Sequence, residues 1–69
     1  MKISARNRFP GTVTDVKTGA VMAQVTIDIG GGNRVTSAIF VDSVKDLGIK
    51  KADKVSALIK STDVMVLKD

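Results

Sequence analysis

Three short segments carry an excess of hydrogen-bond donors. In Ser4-Ala5-Arg6-Asn7 an extended backbone would turn Ser4 and Arg6 to the same side, setting a hydroxyl beside a guanidinium. Arg offers forked donors and no acceptor, which suits an oxyanion. Lys60-Ser61-Thr62 adds an ammonium, two hydroxyls and the backbone N–H groups of a turn. Ser43 falls where a short helix should begin, and free N–H groups there favour a negative ligand. Taken singly, each segment is a weak signal and reads more readily as a leader, a polar connection or a helix cap. Together they are three donor-rich stretches in one small chain. The Gly30-Gly31-Gly32 run lacks the lysine and the following helix of a phosphate loop and reads as a hairpin connection.

The residue inventory excludes much else. The chain has no His, Cys, Glu, Trp or Tyr, so acid–base work by His or Glu, thiol chemistry and zinc held by nitrogen or sulfur are all out of reach. Its carboxylates are seven scattered Asp residues without the spacing of a cation loop, and they read as turn and cap residues. This inventory argues against an enzyme. Eleven Lys and Arg against seven Asp give a formal charge of +4, which favours anionic partners without choosing among them. Single-stranded nucleic acid is usually held by stacking on aromatic rings, and only Phe9 and Phe40 are present, so nucleic acid is the weaker candidate.

The elements that must position these segments are strands. Ten Val, six Ile and six Thr against three Leu suit pleated, half-buried surfaces. Apolar residues alternate from Val21 to Ile29, and the glycine run followed by Asn33 predicts a hairpin into a strand from Arg34 to Val41. Gly11 to Val16 forms the first long strand, with a bulge where Asp15 breaks the alternation. Val55 to Lys60 and Val64 to Leu67 supply two more. One helix is expected, Ser43 to Leu47, capped at its start by Asp42 or Ser43 and closed by Gly48. Five antiparallel strands with a helix between the third and fourth match an all-β, OB-type Greek-key barrel.

At 69 residues the chain is expected to be one domain, 1–69, marginal when alone and without disulfide or zinc to staple it. Met22, Leu58, Met65 and Leu67 give several strands a second apolar face, which would be left in water unless a partner covers it. A tight homo-oligomer follows. No signal peptide and no membrane-length apolar run is visible, so a cytoplasmic location is expected.

The opening Met-Lys-Ile-Ser-Ala-Arg-Asn-Arg, the Gly11-Thr12-Val13 run, Gly19 to Val25 and Lys60-Ser61-Thr62-Asp63-Val64 together resemble the molbindins, a family of small molybdate-binding proteins, in the same order and over nearly the whole chain. The resemblance implies an OB-type barrel assembled as a hexamer, a trimer of dimers, with molybdate held at subunit interfaces and tungstate as a substitute. By motif position it implies that Ser4, Arg6 and Asn7 supply one side of a site, Lys60 and Ser61 another, and that Ser43 completes it. The role implied is storage and homeostasis of the oxyanion. One departure bears on a turn: Ala52 stands before Asp53 where relatives often have Gly. The alternative from a different class is an OB-type nucleic-acid-binding module using its basic surface.

Overall fold

The computed structural model describes residues 2–69. Alternation in the sequence becomes four antiparallel strands: β1 (Asn7–Thr18), β2 (Met22–Gly30), β3 (Asn33–Phe40) and β4 (Lys54–Ile59), with α1 (Val41–Leu47) between β3 and β4. Their order in the sheet is β3-β2-β1-β4. Strand β1 is the spine. Its first half pairs with β4, from Asn7 opposite Ile59 to Thr12 opposite Lys54, and its second half pairs with β2, from Thr12 opposite Asp28 to Thr18 opposite Ala23. It begins four residues before the expected start. Up to Gly11 it is laddered only to β4, so the missing N–H of Pro10 can face the unpaired side.

The break in alternation at Asp15 is a bulge, with the register moving between Val13 and Asp15. The extra residue lets Val13 (1% exposed) and the half-buried Val16 both face inward, although they are three apart. Asp28 accepts the N–H of Gly30 at 2.9 Å, and the chain reverses through Gly31 and Gly32 at φ of 63° and 78°. Two successive positive φ values twist a two-residue turn to match the flanking strands, and glycine reaches them without strain.

Inward positions of β1, β2 and β4, with one residue of α1, make the core: Val13, Ala23, Val25, Ile27, Ala57 and Val44. Half-buried Val35, Ile39, Ile49 and Val55 surround it. Helix α1 begins two residues before the expected start. Phe40 occupies its N-cap with extended backbone, and no side chain caps it, so neither Asp42 nor Ser43 has the expected capping role. The close is as expected. Gly48 (φ 65°) donates to the Lys45 carbonyl at 3.1 Å and Ile49 to the Val44 carbonyl at 3.0 Å, which satisfies the last turn.

Among the described residues the sheet has four strands where five were expected. After β4 a 3-10 turn (Ser61–Asp63) leads into Val64–Leu67, which has no ladder partner and is exposed throughout. Strand propensity alone does not make a strand; an edge to pair with is also needed, and the turn carries this segment away from one.

Candidate functional site

The β1–β4 ladder assembles the donor segments. Its last opposed pair is Asn7 and Ile59, so the chain enters the ladder from Ser4-Ala5-Arg6 and leaves it into Lys60-Ser61 at the same end. A side chain fastens this junction: Asn7 Nδ2 donates to the Ile59 carbonyl at 3.1 Å, joining positions 52 residues apart. One amide hydrogen is thereby used and the other remains for a ligand. Ser4, Arg6, Lys60 and Ser61 are all exposed, while Ala5 and Asn7 are half-buried and anchor the segment.

The turn that follows fixes Ser61. Asp63 N–H donates to the Lys60 carbonyl at 2.9 Å and Val64 N–H to the Ser61 carbonyl at 3.4 Å. These bonds consume carbonyl acceptors and leave the Lys60 ammonium and the Ser61 and Thr62 hydroxyls free to point outward. An exposed patch of ammonium, guanidinium, hydroxyl and amide donors attracts an anion and offers it several hydrogen bonds at once. The nearest carboxylate in sequence, Asp63, lies two residues past Ser61. Among the described residues no group of three or more His, Cys, Asp or Glu could hold a metal cation.

Ser43 lies elsewhere. It sits in the first turn of α1, which packs against β3 and β2, and the backbone entering the helix is held by Val41 N–H on the Val21 carbonyl at 2.7 Å. Phe40 opposes Met22, and Ala23 opposes Thr18, so Ser43 falls beyond the C-terminal end of β1. Arg6 falls before its N-terminal end. Along the ladder the 12 residues of β1 separate the two groups. Among the described residues no hydrogen bond joins Ser43 to Ser4, Arg6, Asn7, Lys60 or Ser61.

Sequence reasoning did not foresee the part of Asn7 as a clamp, because the signal is long-range: it needs the register that sets Asn7 against Ile59. The two phenylalanines do not build a stacking surface. Phe9 is on β1 and Phe40 on β3, with β2 between them. Among the described residues no helix is long and apolar enough to cross a membrane.

A small, curled antiparallel sheet with one short helix and donors gathered at a strand end defines a class of binding domain, and comparison with known proteins agrees. The TOBE domain family matches residues 3–66. The molybdenum-pterin-binding protein 3 of Clostridium pasteurianum is 54% identical over 67 residues, 97% of this chain and 98% of that protein. Among solved structures, a molybdate-binding protein from Sporomusa ovata superimposes with a TM-score of 0.93 at 46% identity, covering 99% of this chain and all of that one. The cytoplasmic molybdate-binding protein ModG, solved with molybdate bound, gives a TM-score of 0.85 at 43% identity, over 88% of this chain and 43% of that one. The chain belongs to the TOBE domain family and, within it, to the small molbindin-type proteins.

Proposed function

We propose that this protein binds molybdate, with tungstate as an equivalent ligand, and holds it in the cytoplasm as a store rather than transforming it. The domain is 1–69, and the working form is a homo-oligomer, a hexamer built as a trimer of dimers. In that form Val64–Leu67 becomes the fifth strand of an OB-type barrel. Ser4, Arg6, Asn7, Lys60 and Ser61 hold the anion from one side and Ser43 of another chain from the other.

One observation carries this reading: the Asn7–Ile59 junction, which gathers Ser4-Arg6 and Lys60-Ser61 into one donor patch. Molybdate at neutral pH is a tetrahedral dianion with four acceptor oxygens and no proton to give. Hydroxyl, amide, ammonium and guanidinium groups match it without a carboxylate acceptor. Protonated phosphate would leave its own O–H unpaired in such a site, at a cost of roughly 1–3 kcal/mol if buried. Sulfate has the same hydrogen-bonding pattern and is excluded by size; tungstate has both the charge and the size of molybdate.

The separation of Ser43 from the patch along β1 supports a site shared between chains. So do the relatives, which are binding proteins for molybdate or molybdenum-pterin. The nucleic-acid alternative has less support, because its two aromatic residues stand on strands that are not neighbours. Titration calorimetry separates the readings, with molybdate, sulfate, phosphate and a single-stranded oligonucleotide as ligands. Saturable heat with molybdate, and none with phosphate or the oligonucleotide, is expected. Oligonucleotide binding that weakens steeply with salt, with no molybdate heat, would replace this proposal by the alternative.

A further inference from the structure

The two ends of the β1–β4 ladder differ in charge. At one end Lys54 faces Thr12, and its ammonium donates to Thr12 Oγ1 at 3.0 Å. At the other the last opposed pair is Asn7 and Ile59, and one further step would set Arg6 against Lys60. Arg8, opposite Leu58, is two residues from Arg6, so a continued ladder would put both on one face. Three cations therefore gather where the ladder stops. Among the described residues no hydrogen bond engages the side chain of Arg6, Arg8 or Lys60, so none of them is bonded to a carboxylate.

The ladder ends there without a breaker. Neither Ile3-Ser4-Ala5-Arg6-Asn7 nor Ile59-Lys60-Ser61 contains a glycine or a proline. Opposed side chains in an antiparallel pair have Cβ atoms about 5 Å apart, and like charges in that position are destabilising. The Asn7 amide, bonded to the Ile59 carbonyl at 3.1 Å, fastens the pair immediately inside the repelling one. Exposure of Arg6 and Lys60 to solvent weakens the repulsion and keeps the space between them open to a small ion.

We infer that Arg6 and Lys60 form an anion-closed latch on the β1–β4 ladder. Without an anion their repulsion holds this end of the ladder open, and a dianion seated between them cancels the repulsion and draws residues 4–6 and 60–61 together. The charges that bind the ligand thus loosen the empty protein, and occupancy of the site is written into the order of the two chain segments that leave the ladder. The latch deepens the molybdate reading given above and rests on it for the identity of the closing ion.

Backbone amide hydrogen exchange, followed by NMR, reads the opening of each ladder end separately. In anion-free protein, Arg6→Gln and Lys60→Gln should each slow exchange at Asn7, Arg8, Leu58 and Ile59 by about two- to fivefold, the span of one cross-strand charge pair. The double variant should slow it little further, because either change removes the same repulsion. Amides at Thr18 and Ala23, the far end of β1, should not respond, and Lys17→Gln, which faces Gln24, should move neither end. Sodium chloride should slow the same four amides in the unaltered protein and not in the double variant, by screening. Molybdate should slow them in the unaltered protein, reversing its order with the variants. Unchanged or faster exchange in the anion-free variants overturns the latch; if molybdate still gives saturable heat, the binding reading stands. Additive effects, or equal effects at Thr18 and Ala23, also overturn it, since net charge or global stability is then being read. Slower exchange in the variants with no molybdate heat overturns the binding reading and the closing step with it.

Discussion

Replacing Ala52 by glycine should make the protein more stable. Lys50 to Asp53 form a tight turn into β4, with Asp53 N–H donating to the Lys50 carbonyl at 3.1 Å and Lys50 N–H to Asp53 Oδ2 at 2.9 Å. Ala52 is the third residue of that turn and has φ 78°, the one non-glycine positive φ among the described residues. A turn with positive φ only at its third residue is of type II, which calls for glycine there. The turn cannot relax elsewhere, because Ala52 N–H is held on the Val13 carbonyl at 2.8 Å and Val13 N–H on that of Asp53 at 2.9 Å. A left-handed conformation costs an L-residue about 1–2 kcal/mol. Glycine removes that cost but gains about 0.4–1 kcal/mol of unfolded-state entropy. The net gain is about 0.5–1 kcal/mol, a rise in Tm of roughly 2–8 °C for a domain of this size. Gly48→Ala is the mirror experiment. Its φ is 65° and a Cβ there would meet no atom within 4 Å, so only the backbone term acts, and a fall of similar size is expected. Denaturant unfolding at one fixed protein concentration measures both, since an oligomer's stability depends on concentration. If Ala52→Gly lowers the midpoint, or Gly48→Ala raises it, the backbone reasoning is wrong.

Three further outcomes follow from the site and the spine strand. Arg6→Ala should weaken molybdate binding by at least roughly tenfold, since a lost charge-assisted bond costs about 1.5–3 kcal/mol; Arg8→Ala, opposite Leu58 on the same strand, should do less and mainly at low salt, and equal losses by calorimetry would mean that only net charge is sensed. Asn7→Asp replaces the donor to the Ile59 carbonyl by a carboxylate; it should lower both the unfolding midpoint and the molybdate affinity, whereas unchanged affinity would remove Asn7 from the site. Gly11→Ala puts a Cβ against the Asp28 carbonyl and 2.8 Å from Ile27 Cγ2, where β1 passes from β4 to β2, and should cost about 1–3 kcal/mol or more in denaturant unfolding.

What could be read from the sequence follows from the range of the forces involved. Alternation, the glycine hairpin, the bulge near Asp15 and the Gly48 close are local signals, and each has its counterpart in the fold. Pro10 hid the first four residues of β1, because a proline demotes a strand unless one side is known to be unpaired. Val64–Leu67 has the composition of a strand, but pairing depends on an edge that composition cannot supply. The same division holds for the site. Donor types at Ser4, Arg6, Lys60 and Ser61 were legible, and the β1–β4 register gathers them. The part of Asn7 needed that register, and the distance of Ser43 from the others needed the strand order.

The central claim is that molybdate sits in the donor patch at the start of β1, between chains. A crystal grown with molybdate and measured near the molybdenum absorption edge locates the anion directly from its anomalous signal. A peak is expected within hydrogen-bonding reach, about 3 Å from anion oxygen to donor, of Arg6 and Ser61. Ser43 of a second chain should close the other side. A peak enclosed by one chain alone, or one remote from Arg6 and Lys60, would contradict it.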